Sequence, residues 1–205
     1  GWTVRDDVFF TDITNRRITE WLRPGVMGRN IGPETQFGFV MGDHHDEMVL
    51  VLKAAQGNRS ISFDVMPPSS RIGLKKEGKY YKGWEYDGFV ADIHKILGNL
   101  KEYFPDYQDQ GYEVAGFGWW QGHKDAGLSQ RYYERHLVNL INDLRAEFEA
   151  PKAPFVVATV GFEGKSMSKK YREILKAQMA VSDPDKYPEF AGNVASFDTR
   201  PMWRG

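Results

Sequence analysis

An α/β fold built around a central parallel sheet is what the sequence predicts, and three observations predict it. From Val40 onward, short continuous apolar runs alternate with longer stretches of helical period, the pattern of strands joined by crossover helices. Three of the four short runs are apolar at successive positions rather than at every second one, as strands covered on both faces must be. With 41% of 205 residues hydrophobic and 14% aromatic, the chain has ample material for a core and too much for a disordered segment.

The elements follow in order. Met48, Val49, Leu50, Val51 and Leu52 read as a central strand, apolar on both sides. Val90, Ile93, Ile96, Leu97, Leu100 and Phe104 fall at helical spacing until Pro105 stops the run, which makes an amphipathic helix lying on the sheet. Residues 113–120 form the next strand. Ser129 is placed to cap a helix with Tyr133, Leu137, Leu140, Ile141, Leu144 and Phe148 on its apolar face, ended by Pro151 and Pro154. Residues 154–160 make a third buried strand. A helix follows, with Ser168 near its start and Tyr171, Ile174, Leu175 and Met179 along one side, and residues 193–197 make the last strand. Residues 67–87, rich in Pro, Gly, Lys and Tyr, break the rhythm as a surface excursion. The first 35 residues offer no obvious partner strand. With no internal repeat or linker, residues 1–205 read as one domain. The opening Gly1-Trp2-Thr3-Val4 has neither a starting Met nor a signal peptide, so the natural polypeptide is expected to extend further at both ends.

Composition narrows the function. Lys plus Arg number 27 against 28 Asp plus Glu, a net charge of −1, which argues against a nucleic-acid or lipid-surface partner. The longest apolar runs are strand-sized, far short of the roughly 20 residues that span a bilayer. Without cysteine there is no disulfide framework, thiolate metal site or cysteine nucleophile. His44, His45, Asp46 and Glu47 have metal-ligand chemistry, but adjacent histidines before a buried strand read as a solvated turn. His94 and His136 read as surface residues. The Lys and aromatic residues between Lys75 and Tyr86 read as an exposed or glycan-facing loop.

Parallel α/β sheets carry their sites at the carboxyl ends of the strands, where βα loops and helix N-termini gather. The loops to watch are therefore 55–60, 121–127, 161–165 and 198–203. Two of them, Lys53-Ala54-Ala55-Gln56-Gly57-Asn58-Arg59-Ser60 and Trp119-Trp120-Gln121-Gly122-His123-Lys124-Asp125-Ala126, together with Phe197-Asp198-Thr199-Arg200-Pro201, resemble the sialate O-acetylesterase-like carbohydrate esterases of the SGNH-hydrolase superfamily. The resemblance runs from Val4 to Trp203.

It implies a three-layer, flavodoxin-like sandwich that hydrolyses acetyl esters of sugars by a serine acyl-enzyme, needing neither metal nor organic cofactor. It also implies an oxyanion hole made by the backbone of Gly57 and Asn58 and the side chain of Gln121, and an extracytoplasmic home. Preorganised donors suit the chemistry, because ester attack develops charge on one oxygen. The family's Gly-Gln-Ser-Asn nucleophile turn and its downstream histidine segment do not occur among these residues. The expectation is therefore that the chain supplies oxyanion and substrate loops and has little activity alone.

Around that centre, Arg59, Trp119, Trp120, His123 and Asp125 are the candidate substrate contacts. Trp119 and Trp120 point to opposite sides of a strand, one into the core and the other either stacking on a sugar or packing under a loop. His123 is a substrate contact, an acid or base, or a rim histidine. Asp125 touches substrate or ties its loop through backbone N–H groups. Ser60 lacks a Gly-x-Ser-x-Gly elbow and reads as a turn cap. A non-catalytic carbohydrate-binding or structural protein on the same sheet is the alternative. The sugar, the acetyl position and the oligomeric state are not legible.

Overall fold

In a computed structural model, which describes residues 3–14, 19–26, 31–104 and 106–204, the strand that the sequence did not reveal is at Val8–Asp12. The contacts divide the chain into two units, residues 1–57 with 88–110 and residues 58–87 with 111–205. Pro105, expected to stop a helix, lies outside the described residues.

In the first unit, β1 (Val8–Asp12) lies between β2 (Thr19–Trp21), antiparallel to it, and, beyond α1 (Pro33–His44), β3 (Val49–Lys53), parallel to it in the register Val8 to Val49 through Asp12 to Lys53. Alternation sends Val8, Phe10, Val49 and Val51 to one face, where they pack with Leu22, Val26 and Phe39 of α1. It sends Phe9, Leu50 and Leu52 to the other, where they meet Ile93, Ile96, Leu100 and Phe104. Helices thus cover both faces of this sheet. The 48–52 run is corrected: its strand is residues 49–53, Val51 is its one buried residue, and it lies at one end of its sheet while β1 holds the centre.

The helix expected over 90–104 is longer and broken. It begins at Trp84, inside the supposed excursion, as α2 (Trp84–Leu97), and resumes as α3 (Leu100–Tyr103). The break falls at Gly98 and Asn99, where Gly98 N–H donates to His94 O at 2.8 Å and Asn99 Nδ2 to Lys95 O at 2.8 Å. A side chain has there replaced the backbone donor that would continue the helix.

The second unit carries an all-parallel sheet in the order β4 (Phe117–Trp119), β5 (Phe155–Ala158), β6 (Val194–Phe197). Its connections run through α4 (Gln130–Glu147) and α5 (Lys169–Ala180). Three of the four expected runs are therefore parallel neighbours, while the fourth, β3, pairs with β1 instead. Ser129 caps α4 as expected, its Oγ accepting from Tyr132 N–H at 3.4 Å. Phe155 and Val157 of the sheet, Tyr133, Leu137, Leu140 and Ile141 of α4, and Ile174, Leu175 and Ala177 of α5 are buried. The other side of β5 and β6 is not: Val156, Ala195 and Phe197 are exposed, a departure from strands buried on both faces.

Two strands are shorter than the expected 113–120 and 154–160, for identifiable reasons. A Cβ on Gly116 would lie 2.9 Å from Pro154 O, so β4 starts only after this close passage. At the far end of β5, Val160 N–H donates to Gln178 Oε1 at 2.8 Å rather than to a strand. His136, expected on the surface, is fully buried in α4, and neither ring nitrogen has a hydrogen-bond partner. Burial pushes its pKa down to about 4.

Candidate active site

The carboxyl side of β4 opens into a turn whose centre is Asp125, 2% exposed. Ser60 Oγ and Ser62 Oγ donate to its Oδ1 at 2.6 and 2.8 Å, with Ser62 N–H at 3.3 Å. Ile61 N–H and Gln121 Nε2 donate to its Oδ2 at 2.9 and 2.6 Å. A buried carboxylate is tolerable only when its lone pairs are filled, and here they are filled by a segment some sixty residues away. Of the two roles open to Asp125, tying the loop is the one this geometry displays.

Gln121 is held from both ends. Its Nε2 donates to Arg59 O at 2.8 Å as well as to Asp125, so both amide hydrogens have acceptors. The Tyr133 hydroxyl lies 2.9 Å from Gln121 Oε1 and 3.0 Å from Gln121 O. Gln178 Nε2 donates to Gln121 O at 2.6 Å while its Oε1 takes the Val160 N–H. Trp119 Nε1 donates to the Tyr133 hydroxyl at 3.3 Å. Burial pushes the Tyr133 hydroxyl pKa up, which keeps it protonated. A Cβ on Gly122 would sit 2.5 Å from Val160 Cγ1 and 2.9 Å from Ile174 Cγ2, so only glycine lets the turn lie this close to α5.

The bond from Gln121 to Arg59 O brings its amide to within one residue of Asn58, whose φ of 61° is left-handed. An asparagine tolerates that conformation better than most side chains. Gly57 belongs to the other unit, and a Cβ there would meet nothing within 4 Å, so no protein atom requires a glycine at this position. Arg59 is ion-paired with Glu85 and lies 5.4 Å from the Trp84 ring centroid. Burial holds the Glu85 carboxyl above its usual pKa despite that partner.

The tryptophans divide as strand alternation requires: Trp119 is half-buried and hydrogen-bonded, and Trp120 is 57% exposed. His123 is exposed, with its ring 4.9 Å from that of Phe162 and 5.8 Å from that of Tyr171. Ser60 caps its own turn, accepting from Ser62 N–H at 3.0 Å. Among the described residues no group of His, Asp and Glu could hold a metal ion, and no helix is long and apolar enough to cross a membrane.

Sequence reasoning missed Tyr133, Gln178, Ser62 and Glu85. Tyr133 was visible only as a member of an apolar stripe. Gln178 did leave a signal: it falls three and four positions after Leu175 and Ile174, a polar residue on the buried side of a helix.

The arrangement fixes the segment 59–62 against a buried carboxylate and holds a carboxamide beside it. A family model described as SASA, carbohydrate esterase, sialic acid-specific acetylesterase, matches residues 10–188. The X-ray structure of a protein from Arabidopsis thaliana aligns over 96% of this chain and 70% of its own, with a TM-score of 0.61 and 15% sequence identity, a likeness of fold alone. No curated protein matches the chain.

Proposed function

As the chain belongs to the carbohydrate esterase family of sialic acid-specific acetylesterases, we propose that it acts in removing acetyl groups from O-acetylated sugars through a serine acyl-enzyme. In this reading residues 1–205 are one extracytoplasmic domain with a three-layer SGNH-hydrolase sandwich, and they furnish the oxyanion and substrate loops. The backbone N–H of Asn58 and the amide of Gln121 receive the oxyanion. Arg59, Trp119, Trp120, His123 and Asp125 surround the substrate, Asp125 chiefly by holding the turn.

The observation that carries the reading is the clamp on residues 59–62, which fixes the chain immediately after Asn58 and so holds that backbone N–H in place, as an oxyanion donor must be held. Gln121 can donate to substrate only by giving up one present acceptor. The neutral Arg59 carbonyl is the weaker of the two, since a hydrogen bond to a carboxylate is about twice as strong. The hydrogen on Arg59 O is therefore the one that turns to an oxyanion.

The saturation of Gln121 and Asp125 favours a second reading, a carbohydrate-binding protein without catalysis. Acetate release separates the two. The isolated 205 residues should hydrolyse p-nitrophenyl acetate and an acetylated sugar poorly, whereas the natural polypeptide should turn both over. In that polypeptide Gln121→Ala should cut kcat by about 10²- to 10³-fold with little change in KM. Natural polypeptide that releases no acetate would leave only the second reading. Serine-reagent-sensitive turnover by the 205 residues would instead make Ser60 the nucleophile.

A further inference from the structure

We propose that Phe162 and Trp203, flanked by His123 and backed by Tyr171, form a platform on which a pyranose ring of the substrate stacks. The proposal rests on the acetylated-sugar reading and deepens it by assigning the surface that holds the sugar rather than the ester.

Three loops at the carboxyl side of one parallel sheet each bring an aromatic ring to the same place: His123 after β4, Phe162 after β5 and Trp203 after β6. Phe162 is the hub. Its ring stacks on Tyr171 at 5.4 Å between centroids and meets Trp203 edge-on at 5.8 Å and His123 at 4.9 Å. These are contact geometries of a packed aromatic cluster. Yet the cluster is not core, since Phe162 and Trp203 remain 36% and 44% exposed while Tyr171 beneath them is buried. Leaving apolar area in water costs roughly 25 cal/mol per Å², so a clustered exposed patch at the functional edge of a sheet marks a binding surface.

The indole is also seated. Gly164 has φ of 51°, and a Cβ there would come 3.2 Å from Trp203 Cδ1. The 161–164 loop thus runs directly against the ring.

The chemistry of the surroundings selects the occupant. A pyranose offers a face of C–H groups and a rim of hydroxyls. The platform offers apolar rings with Lys170 Nζ 4.9 Å from the Tyr171 ring centroid, and the chain after β6 that carries Trp203 also carries the Asp198–Arg200 ion pair. Donors and acceptors, as hydroxyls require, are thus supplied by the same segments that supply the rings.

The test uses the methyl glycoside of an O-acetylated hexose and its acetate-free parent. The chain has six tryptophans, so the indole N–H signals in an NMR titration can be assigned, Trp203 by its loss in Trp203→Ala. Both glycosides at millimolar concentration should shift the Trp203 signal. Phe162→Ala and Trp203→Ala should weaken binding at least tenfold, while Ile72→Ala, at an exposed position far along the chain, should bind as wild type does. In the natural polypeptide, Phe162→Ala should lower the ratio of acetylated-sugar to p-nitrophenyl acetate hydrolysis at least tenfold, because only the first ester carries a sugar ring. An unmoved Trp203 signal, or equal binding by the variants, overturns the platform, as does sedimentation showing that Trp203→Ala splits a dimer of this chain. A protein that binds the glycosides at Trp203 but releases no acetate from either ester retains the platform and ends the esterase reading.

Discussion

Two regions at the carboxyl side of the β4–β6 sheet are held together by opposite means. The turn around Asp125 is buried, polar and saturated: five donors converge on one carboxylate, and Gln121 uses both amide hydrogens and its oxygen. The surface around Phe162 is exposed and aromatic, assembled by ring contacts rather than by hydrogen bonds between the rings. The difference teaches where each region can bear change. A polar network in a low-dielectric place fails when one partner is removed, because the others stay buried and unpaired. An exposed ring cluster loses contact area and returns the remainder to water that was already near.

The contrast predicts its own largest effect. Asp125→Ala should destabilise the fold by about 3 to 5 kcal/mol, because several buried donors lose their acceptor at once and each one left unsatisfied costs about 1 to 3 kcal/mol, read as a lower urea midpoint at unchanged slope. A loss below about 1 kcal/mol would mean that water takes over the five donors and that the turn is not a closed network.

Next comes His136, a buried polar group that breaks the pattern by having no partner on either nitrogen. Its pKa is about 4 in the folded chain against 6.5 as the reference. The unfolded chain therefore binds the proton more readily, so stability is retained above pH 6.5, is lost as pH falls towards 4, and changes no further below that. Linkage over this interval is worth about 3 kcal/mol. Urea midpoints measured at pH 7 and pH 4.5 should diverge strongly in wild type and much less in His136→Phe.

Gly122→Ala should follow, costing about 1 to 3 kcal/mol, since its new methyl would press into Val160 and Ile174. Thermal melting checks it, and Gly57→Ala, which meets no protein atom, is the internal control. The smallest effect should be that of Phe162→Ala on stability, about 1 to 2 kcal/mol, from lost ring pairs at a partly exposed site. If Phe162→Ala melted as low as Asp125→Ala, the aromatic surface would be core and the comparison would collapse.

Some of this architecture was legible because it is local. Ser129 followed by apolar residues at a 3.6 period marks α4 without reference to anything distant. The apolar, valine-containing run at β5 is equally self-declaring. β1 was not legible, because Val8–Asp12 is short and ends in an aspartate that is nonetheless fully buried, which breaks the apolar run that signals a strand. His136 was misjudged for a similar reason. It sits on α4 beside the apolar stripe, and whether that flank is wet depends on what packs there, including the 68–70 turn pinned by Ser69 N–H to Asp143 at 2.8 Å and by Asn139 Nδ2 to Ser70 Oγ at 2.9 Å.

The candidate site divides along the same line. Gln121, Asn58, Asp125 and His123 could be picked out as residue types in loops that follow strands, and a resemblance could attach a chemistry to them. Sequence by itself thus determined the α/β class, the Ser129 cap of α4, the apolar stripes and the loops worth watching, because these depend on neighbours within a few positions. Tertiary structure alone decided that Asp125 clamps Ser60, Ile61 and Ser62, that Tyr133 and Gln178 orient Gln121, and that His123, Phe162 and Trp203 share one surface. A hydrogen bond or ring contact exists only when two groups are brought within a few ångströms, and for residues 12 to 65 positions apart nothing but the folded chain does so.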